Sequence, residues 1–172
     1  MEASTNAADA RRMDLIMRDN HRMTRRSLLA MIPLMVVGAS RVTRAQQAAT
    51  VYKDPTCGCC SKWVELLRKE GFAVTANDVR DIAAIKDKYG VPQALRSCHT
   101  ALINGYVVEG HVPLADVTRM LKEKTAIAGL AVPGMPVGSP GMEAPGVNPQ
   151  PYDVLAFGKD GKTRIFASHR GA

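Results

Sequence analysis

Three of the four cysteines in this 172-residue chain lie within four positions, in the stretch Cys57-Gly58-Cys59-Cys60. Cys57 and Cys60 form a Cys-x-x-Cys pair, which between a strand and a helix indicates a thioredoxin-like redox motif. A helix N-terminus favours the thiolate, and thiolates are soft ligands that select Cu(I), zinc and Fe–S clusters. Because disulfide exchange needs only two sulfurs, the third cysteine, Cys59, favours a metal site over simple exchange.

Further candidate ligands follow along the chain. Cys98 and His99 come directly before a predicted strand, where thioredoxin-like proteins normally carry a cis-proline that faces the Cys-x-x-Cys pair. A thiolate and an imidazole at this place argue against a disulfide reductase and could complete a metal site. His111 lies between a predicted strand and a predicted helix, and Glu109 is close enough in sequence to orient its ring.

Two methionines, Met135 and Met142, lie in a segment rich in glycine and proline. Such a segment offers a methionine little core to fill, and a thioether sulfur suits Cu(I). We expect residues 130–143 to fold over the cysteine site and to bring at least one thioether sulfur to it. His21 and His169 are not expected to take part.

The elements that must position these residues follow from apolar periodicity and turn signals. The sequence predicts strands and helices in the order β-α-β-α-β-β-α, over residues 50–53, 61–70, 72–75, 81–89, 101–103, 106–108 and 113–124. This order predicts an α/β, thioredoxin-like fold with a mixed central sheet and flanking helices. Residues 129–151 are predicted to form a long loop without regular structure, followed by a C-terminal β-hairpin over residues 151–157 and 163–167.

The beginning of the chain indicates an export signal. Six arginines in residues 1–27 precede the apolar run Leu28–Ala39, which is shorter than the roughly 20 residues of a membrane-spanning helix. Thr24–Leu29 resembles a twin-arginine signal, and small residues favour cleavage after Ala45. A Sec signal and an uncleaved membrane anchor are the alternatives.

We therefore expect a signal peptide over residues 1–45 and a thioredoxin-like metal-binding domain over residues 46–172. Removing the signal would take away eight of 23 basic and four of 16 acidic residues, which leaves a net charge of +3.

With no basic stripe and only 5% aromatic residues, the sequence argues against nucleic-acid binding. In the oxidising periplasm a free dithiol needs a reducing partner or a metal.

Five blocks occur in order within residues 50–168, namely Pro55–Cys60, Gly90–Pro92, Ser97–Thr100, Tyr106–Pro113 and Gly129–Glu143. Together they resemble the CopG-like copper-resistance proteins, a family of exported, thioredoxin-like, metal-binding proteins formerly described as a domain of unknown function. The resemblance implies a periplasmic copper site with several copper ions bridged by sulfur, and copper redox between Cu(I) and Cu(II). The expected ligands are Cys57, Cys59, Cys60 and Cys98, supported by His99, His111, Met135 and Met142.

These observations together predict a periplasmic copper-binding protein of copper homeostasis and resistance. We expect a monomer with copper ions and other periplasmic copper-handling proteins as partners, and membrane contact only during export. Binding is favoured over turnover as a copper oxidoreductase. One alternative is a thiol–disulfide oxidoreductase in which Cys57 attacks and Cys60 resolves. Another is an exported domain held by two disulfides, one of them to Cys98, that binds a partner protein.

Overall fold

The computed structural model describes residues 46–171. The predicted export signal, residues 1–45, lies outside the described residues. Within residues 46–171 no helix has both the length and the hydropathy that crossing a membrane requires.

Seven strands, three α-helices and one short 3-10 helix make up the described chain. They are β1 (Ala48–Lys53), α1 (Gly58–Lys69), β2 (Ala73–Asp78), α2 (Ile82–Lys88), the 3-10 helix (Gln93–Leu95), β3 (His99–Ile103), β4 (Tyr106–Glu109), α3 (Leu114–Glu123), β5 (Gly129–Ala131), β6 (Tyr152–Phe157) and β7 (Thr163–His169). All seven strands form one sheet in the order β2-β1-β3-β4-β5-β6-β7. The pairs β1–β2 and β4–β5 are parallel and the others antiparallel, which confirms the predicted mixed α/β architecture. The finer assignment to the thioredoxin-like fold stays a prediction.

The prediction of a loop over residues 129–151 is wrong for its first three residues, which form strand β5 between β4 and β6. β5 pairs with β4 on one side and with β6 on the other, and all three of its residues are buried. Gly129 is required there because a Cβ would lie 2.0 Å from the carbonyl oxygen of Val107. A three-residue strand is too short to show an alternating pattern, so only its tertiary pairing reveals it.

Helix α1 begins three residues earlier than predicted, and this shift places cysteines in its first turn. Cys57 is the N-cap residue, and its sulfur accepts a hydrogen bond from the backbone N–H of Cys60 at 3.3 Å. Trp63 and Leu67 lie fully buried on the core face of the helix. Burying a side chain such as that of Leu67 contributes about 1.5–3 kcal/mol, which anchors the cysteine turn to the sheet.

Candidate metal centre

The sheet brings the two cysteine-bearing segments together. β1 and β3 are antiparallel neighbours with Lys53 opposite His99, so the end of β1 lies against the beginning of β3. The turn after β1 carries Cys57 into α1, and Cys98 directly precedes β3. As a result the sulfurs of all four cysteines lie within 4.8 Å of one another.

Two of these sulfurs are bonded to each other. Cys57 and Cys60 form a disulfide, whereas Cys59 and Cys98 are free thiols. The sulfur of Cys59 lies 3.4 Å from that of Cys57. The alternative in which a second disulfide involves Cys98 is therefore not observed. A metal ion bound by all four sulfurs would require the Cys57–Cys60 bond to be reduced first.

Cys98 also belongs to a second group of candidate ligands. Its sulfur lies 3.4 Å from Nδ1 of His99 and 3.0 Å from Nε2 of His111, and the three donor atoms lie within 4.8 Å of one another. Among the described residues, Cys98 alone is shared by this group and the four-sulfur group. Its sulfur could therefore serve as a ligand in either group.

A backbone carbonyl fixes the tautomer of His111. Nδ1 of His111 lies 2.8 Å from the carbonyl oxygen of Pro140, and because a carbonyl only accepts, Nδ1 carries the hydrogen. Burial lowers the pKa of His111, which favours the neutral ring. Nε2 then presents a lone pair to the sulfur of Cys98. The expected role of Glu109 in orienting His111 is not observed, since Glu109 bonds to other partners.

His99 is fully buried and has an unpaired nitrogen. Its ring packs against Trp63 at a centroid distance of 4.6 Å and meets the ring of His111 edge-on at 5.0 Å. Burial lowers the pKa of His99 well below its ordinary value, with nearby His111 and Lys86 adding to the effect, so the ring is neutral. Nε2 of His99 has no hydrogen-bond partner within residues 46–171. A neutral imidazole beside free thiols is a donor set that suits copper or zinc.

The segment that contains the two methionines approaches the cysteines at two points. The hydroxyl of Ser97 donates to the carbonyl oxygen of Gly134, and a Cβ built on Gly141 would lie 3.0 Å from the carbonyl oxygen of Cys59. These contacts agree with the expectation that this segment folds over the site. Met135 is 53% exposed and Met142 is half-buried. Coordination by either thioether stays a prediction.

The thiol of Cys98 is expected to react slowly with iodoacetamide in the metal-free, oxidised protein. Burial, with a smaller effect of neighbouring Cys59, raises the pKa of Cys98 to about 11. Because the thiolate is the nucleophile and the neutral thiol dominates below that pH, the alkylation rate should rise about tenfold per pH unit between pH 7 and 9. Mass spectrometry of Cys98 peptides measures this rate, and a rate that levels off above pH 8 would contradict the raised pKa.

Comparison with known proteins gives two kinds of match. A family model described as "Protein of unknown function, DUF411" matches residues 95–142. Two solved structures, forms 1 and 2 of "Copper resistance protein copG", are each 44% identical to this chain, with TM-scores of 0.69 and 0.68. The matches cover 73% and 72% of this chain and 99% and 98% of the known chains. No curated protein matches the sequence.

Proposed function

Since this chain belongs to the family of the copper resistance protein CopG, we propose that it is a periplasmic copper-binding protein of copper homeostasis. The observation that carries this proposal is the approach of four cysteine sulfurs to within 4.8 Å, with two neutral histidines beside one of them. Thiolate and imidazole together favour Cu(I) over hard cations. The arginine-rich start of the chain supports export, and residues 1–45 would be removed.

The copper ligands that we propose fall into the two groups described above. The first group consists of Cys57, Cys59, Cys60 and Cys98, and the second of Cys98, His99 and His111. A thiolate shared by both groups supports the sulfur-bridged arrangement of several copper ions that the family resemblance implies.

The disulfide gives this proposal a redox aspect. Reducing the Cys57–Cys60 bond takes two electrons and releases two thiolates. Two Cu(II) ions could take up two electrons from the Cys57 and Cys60 thiolates, which would re-form the disulfide and give two Cu(I) ions. A repeated cycle would need a separate electron donor that reduces the disulfide again.

Copper uptake by the reduced and the oxidised protein tests the proposed function. We expect the fully reduced protein to bind Cu(I) at least about a hundredfold more tightly than the disulfide form, because two of the four thiolates are missing in the disulfide form. The measurement is an anaerobic competition titration against a chromogenic Cu(I) chelator, after the reductant has been removed. Equal affinity of both forms would contradict a site built on the four thiolates.

The methionines are expected to tune this site without supporting the fold. Replacing Met135 and Met142 together by Ala should weaken Cu(I) binding about tenfold, because a neutral thioether is a weaker ligand than a thiolate. The free energy of unfolding should change by less than about 1 kcal/mol, since neither side chain is fully buried. The chelator titration and urea unfolding measure the two effects. Unchanged copper affinity would assign these methionines to packing alone.

The disulfide also favours a second candidate function, a thiol–disulfide oxidoreductase. Cys57 caps α1 and Cys60 lies in its first turn, as a redox pair requires. An insulin-reduction assay separates the two functions. Activity that survives copper chelation and is lost in a Cys57→Ser variant would favour the oxidoreductase, and lack of activity would favour copper binding.

A further inference from the structure

A buried ion pair lies next to the proposed metal site. Lys86 in α2 is 3% exposed, Glu109 at the end of β4 is fully buried, and Nζ of Lys86 lies 2.5 Å from Oε1 of Glu109. Transferring two charges from water into a protein core costs several kcal/mol, and apolar residues of similar volume often stabilise a protein as well or better. The pair therefore calls for a reason other than stability.

The hydrogen bonds of Glu109 lead directly to the site. Its Oε1 accepts from the backbone N–H of Ser97 at 2.6 Å, and its Oε2 accepts from the hydroxyl of Thr100 at 2.7 Å. Lys86 donates to the same hydroxyl at 3.1 Å. Ser97 and Thr100 are the residues on either side of Cys98 and His99. One carboxylate thus holds both ends of the dipeptide that carries two of the proposed ligands.

We propose that Glu109 and Lys86 are positioning residues that fix Cys98 and His99 in the geometry that copper binding requires. This inference rests on the proposed function. Glu109 of the ion pair accepts from Ser97 and Thr100, and the hydroxyl of Ser97 donates in addition to the carbonyl oxygen of Gly134. The backbone of Cys98 is therefore fixed before a metal ion arrives.

The chemistry of the cluster explains why a carboxylate is needed. Three donors converge on Glu109, namely the ammonium of Lys86, the hydroxyl of Thr100 and the N–H of Ser97. An ionised carboxylate only accepts hydrogen bonds and has room for all three donors. A glutamine would turn an N–H₂ group toward one of these donors and would leave the charge of Lys86 unpaired. Burial raises the pKa of Glu109, and the adjacent ammonium of Lys86 opposes this rise.

A double variant separates positioning from stability. Lys86→Met and Glu109→Gln alone each leave one buried charge unpaired, so both should lower the urea midpoint of unfolding. The combination of the two changes removes both charges and should recover part of this loss. The carboxylate that holds Ser97 and Thr100 is still missing in the double variant, so the placement of Cys98 should not recover.

The experiment measures Cys98 in the metal-free protein and copper in the loaded protein. For the double variant we expect iodoacetamide to alkylate Cys98 at least about tenfold faster than in the wild type, because the segment opens to solvent. We expect the Cu(I) affinity of the reduced double variant to fall about 10- to 100-fold, the loss typical of removing a group that orients a metal ligand.

The matched control is Asp116→Asn. Asp116 is also a buried carboxylate, 7% exposed, and it pairs with Arg119 and His169, whose segments carry none of the proposed ligands. This variant should lower the urea midpoint without changing the alkylation rate of Cys98 or the copper affinity. A change in alkylation as large as that of the double variant would show that any loss of stability exposes Cys98, and would overturn the proposal.

The outcomes distinguish this inference from the proposed function. If the wild type takes up no Cu(I), the proposed function fails, and the alkylation rates of the metal-free variants still decide whether the pair positions Cys98. If the wild type binds copper and the double variant matches it in both alkylation rate and affinity, the positioning role is wrong and the proposed function stands.

Discussion

Replacing Cys98 by Ala is expected to lower the Cu(I) affinity of the reduced protein by more than about a hundredfold. Removing a group that only orients a metal ligand already weakens metal binding by up to about a hundredfold, and Cys98 is itself a proposed ligand. Of the described residues, Cys98 alone belongs to both groups of candidate ligands. Its loss therefore removes a donor from each group at once. The measurement is the anaerobic chelator titration, with copper per protein determined on the same samples.

The control for this variant is His169→Ala. His169 in β7 pairs with Asp116 and belongs to neither ligand group. Its replacement should leave the copper affinity within about twofold of the wild type, while the Cys98→Ala protein should still unfold cooperatively, because a half-buried thiol supports few contacts. A Cys98→Ala protein that retains wild-type affinity would remove Cys98 from the site.

Gly110→Ala is expected to have the largest effect on stability, lowering the free energy of unfolding by about 2–5 kcal/mol. Gly110 has a φ of +71°, which costs any other residue energy, and a Cβ there would lie 2.5 Å from Oγ of Ser97 and 2.7 Å from the carbonyl oxygen of Val132. Ser97 cannot move away without disturbing the adjacent Cys98. Urea unfolding of the oxidised, metal-free protein measures the loss.

Gly105→Ala separates strain from steric overlap. Gly105 has a φ of +84°, but a Cβ there would meet no atom within 4 Å. This variant should show only the conformational cost of about 1–2 kcal/mol and should bind copper like the wild type. If both variants lost the same free energy of unfolding, the steric overlap of a Cβ at position 110 with Ser97 would contribute nothing to the loss.

Local signals in the sequence predict most of the fold. The turn at Asn104-Gly105 joins β3 and β4 as expected, and the C-terminal hairpin forms as β6 and β7. The sequence does not predict strand β5, because Gly129–Ala131 carries no periodic pattern and is held by partners from two distant parts of the chain. The sequence predicts too late a beginning for α1 because cysteines are weak helix formers, whereas in the structure Cys57 acts as the cap.

The site was predictable where it depends on side-chain chemistry and not where it depends on backbone atoms. The spacing of Cys57, Cys59 and Cys60 pointed directly to a sulfur-rich site. The partner of His111 is the carbonyl oxygen of Pro140, and a backbone acceptor leaves no trace in the residue types. The only sequence signal for Lys86 was its position four residues after Ile82, on the face of α2 that turns toward the protein interior.

The metal content of the protein isolated from cells, without added metal, tests the central claim most directly. Samples are collected anaerobically from cells grown with copper, and copper and zinc are quantified per protein together with the number of free thiols. The account predicts at least one copper ion per chain and a Cys57–Cys60 bond that is reduced in the copper-loaded fraction. Full occupancy by zinc alone, with no copper uptake by the reduced protein, would contradict it.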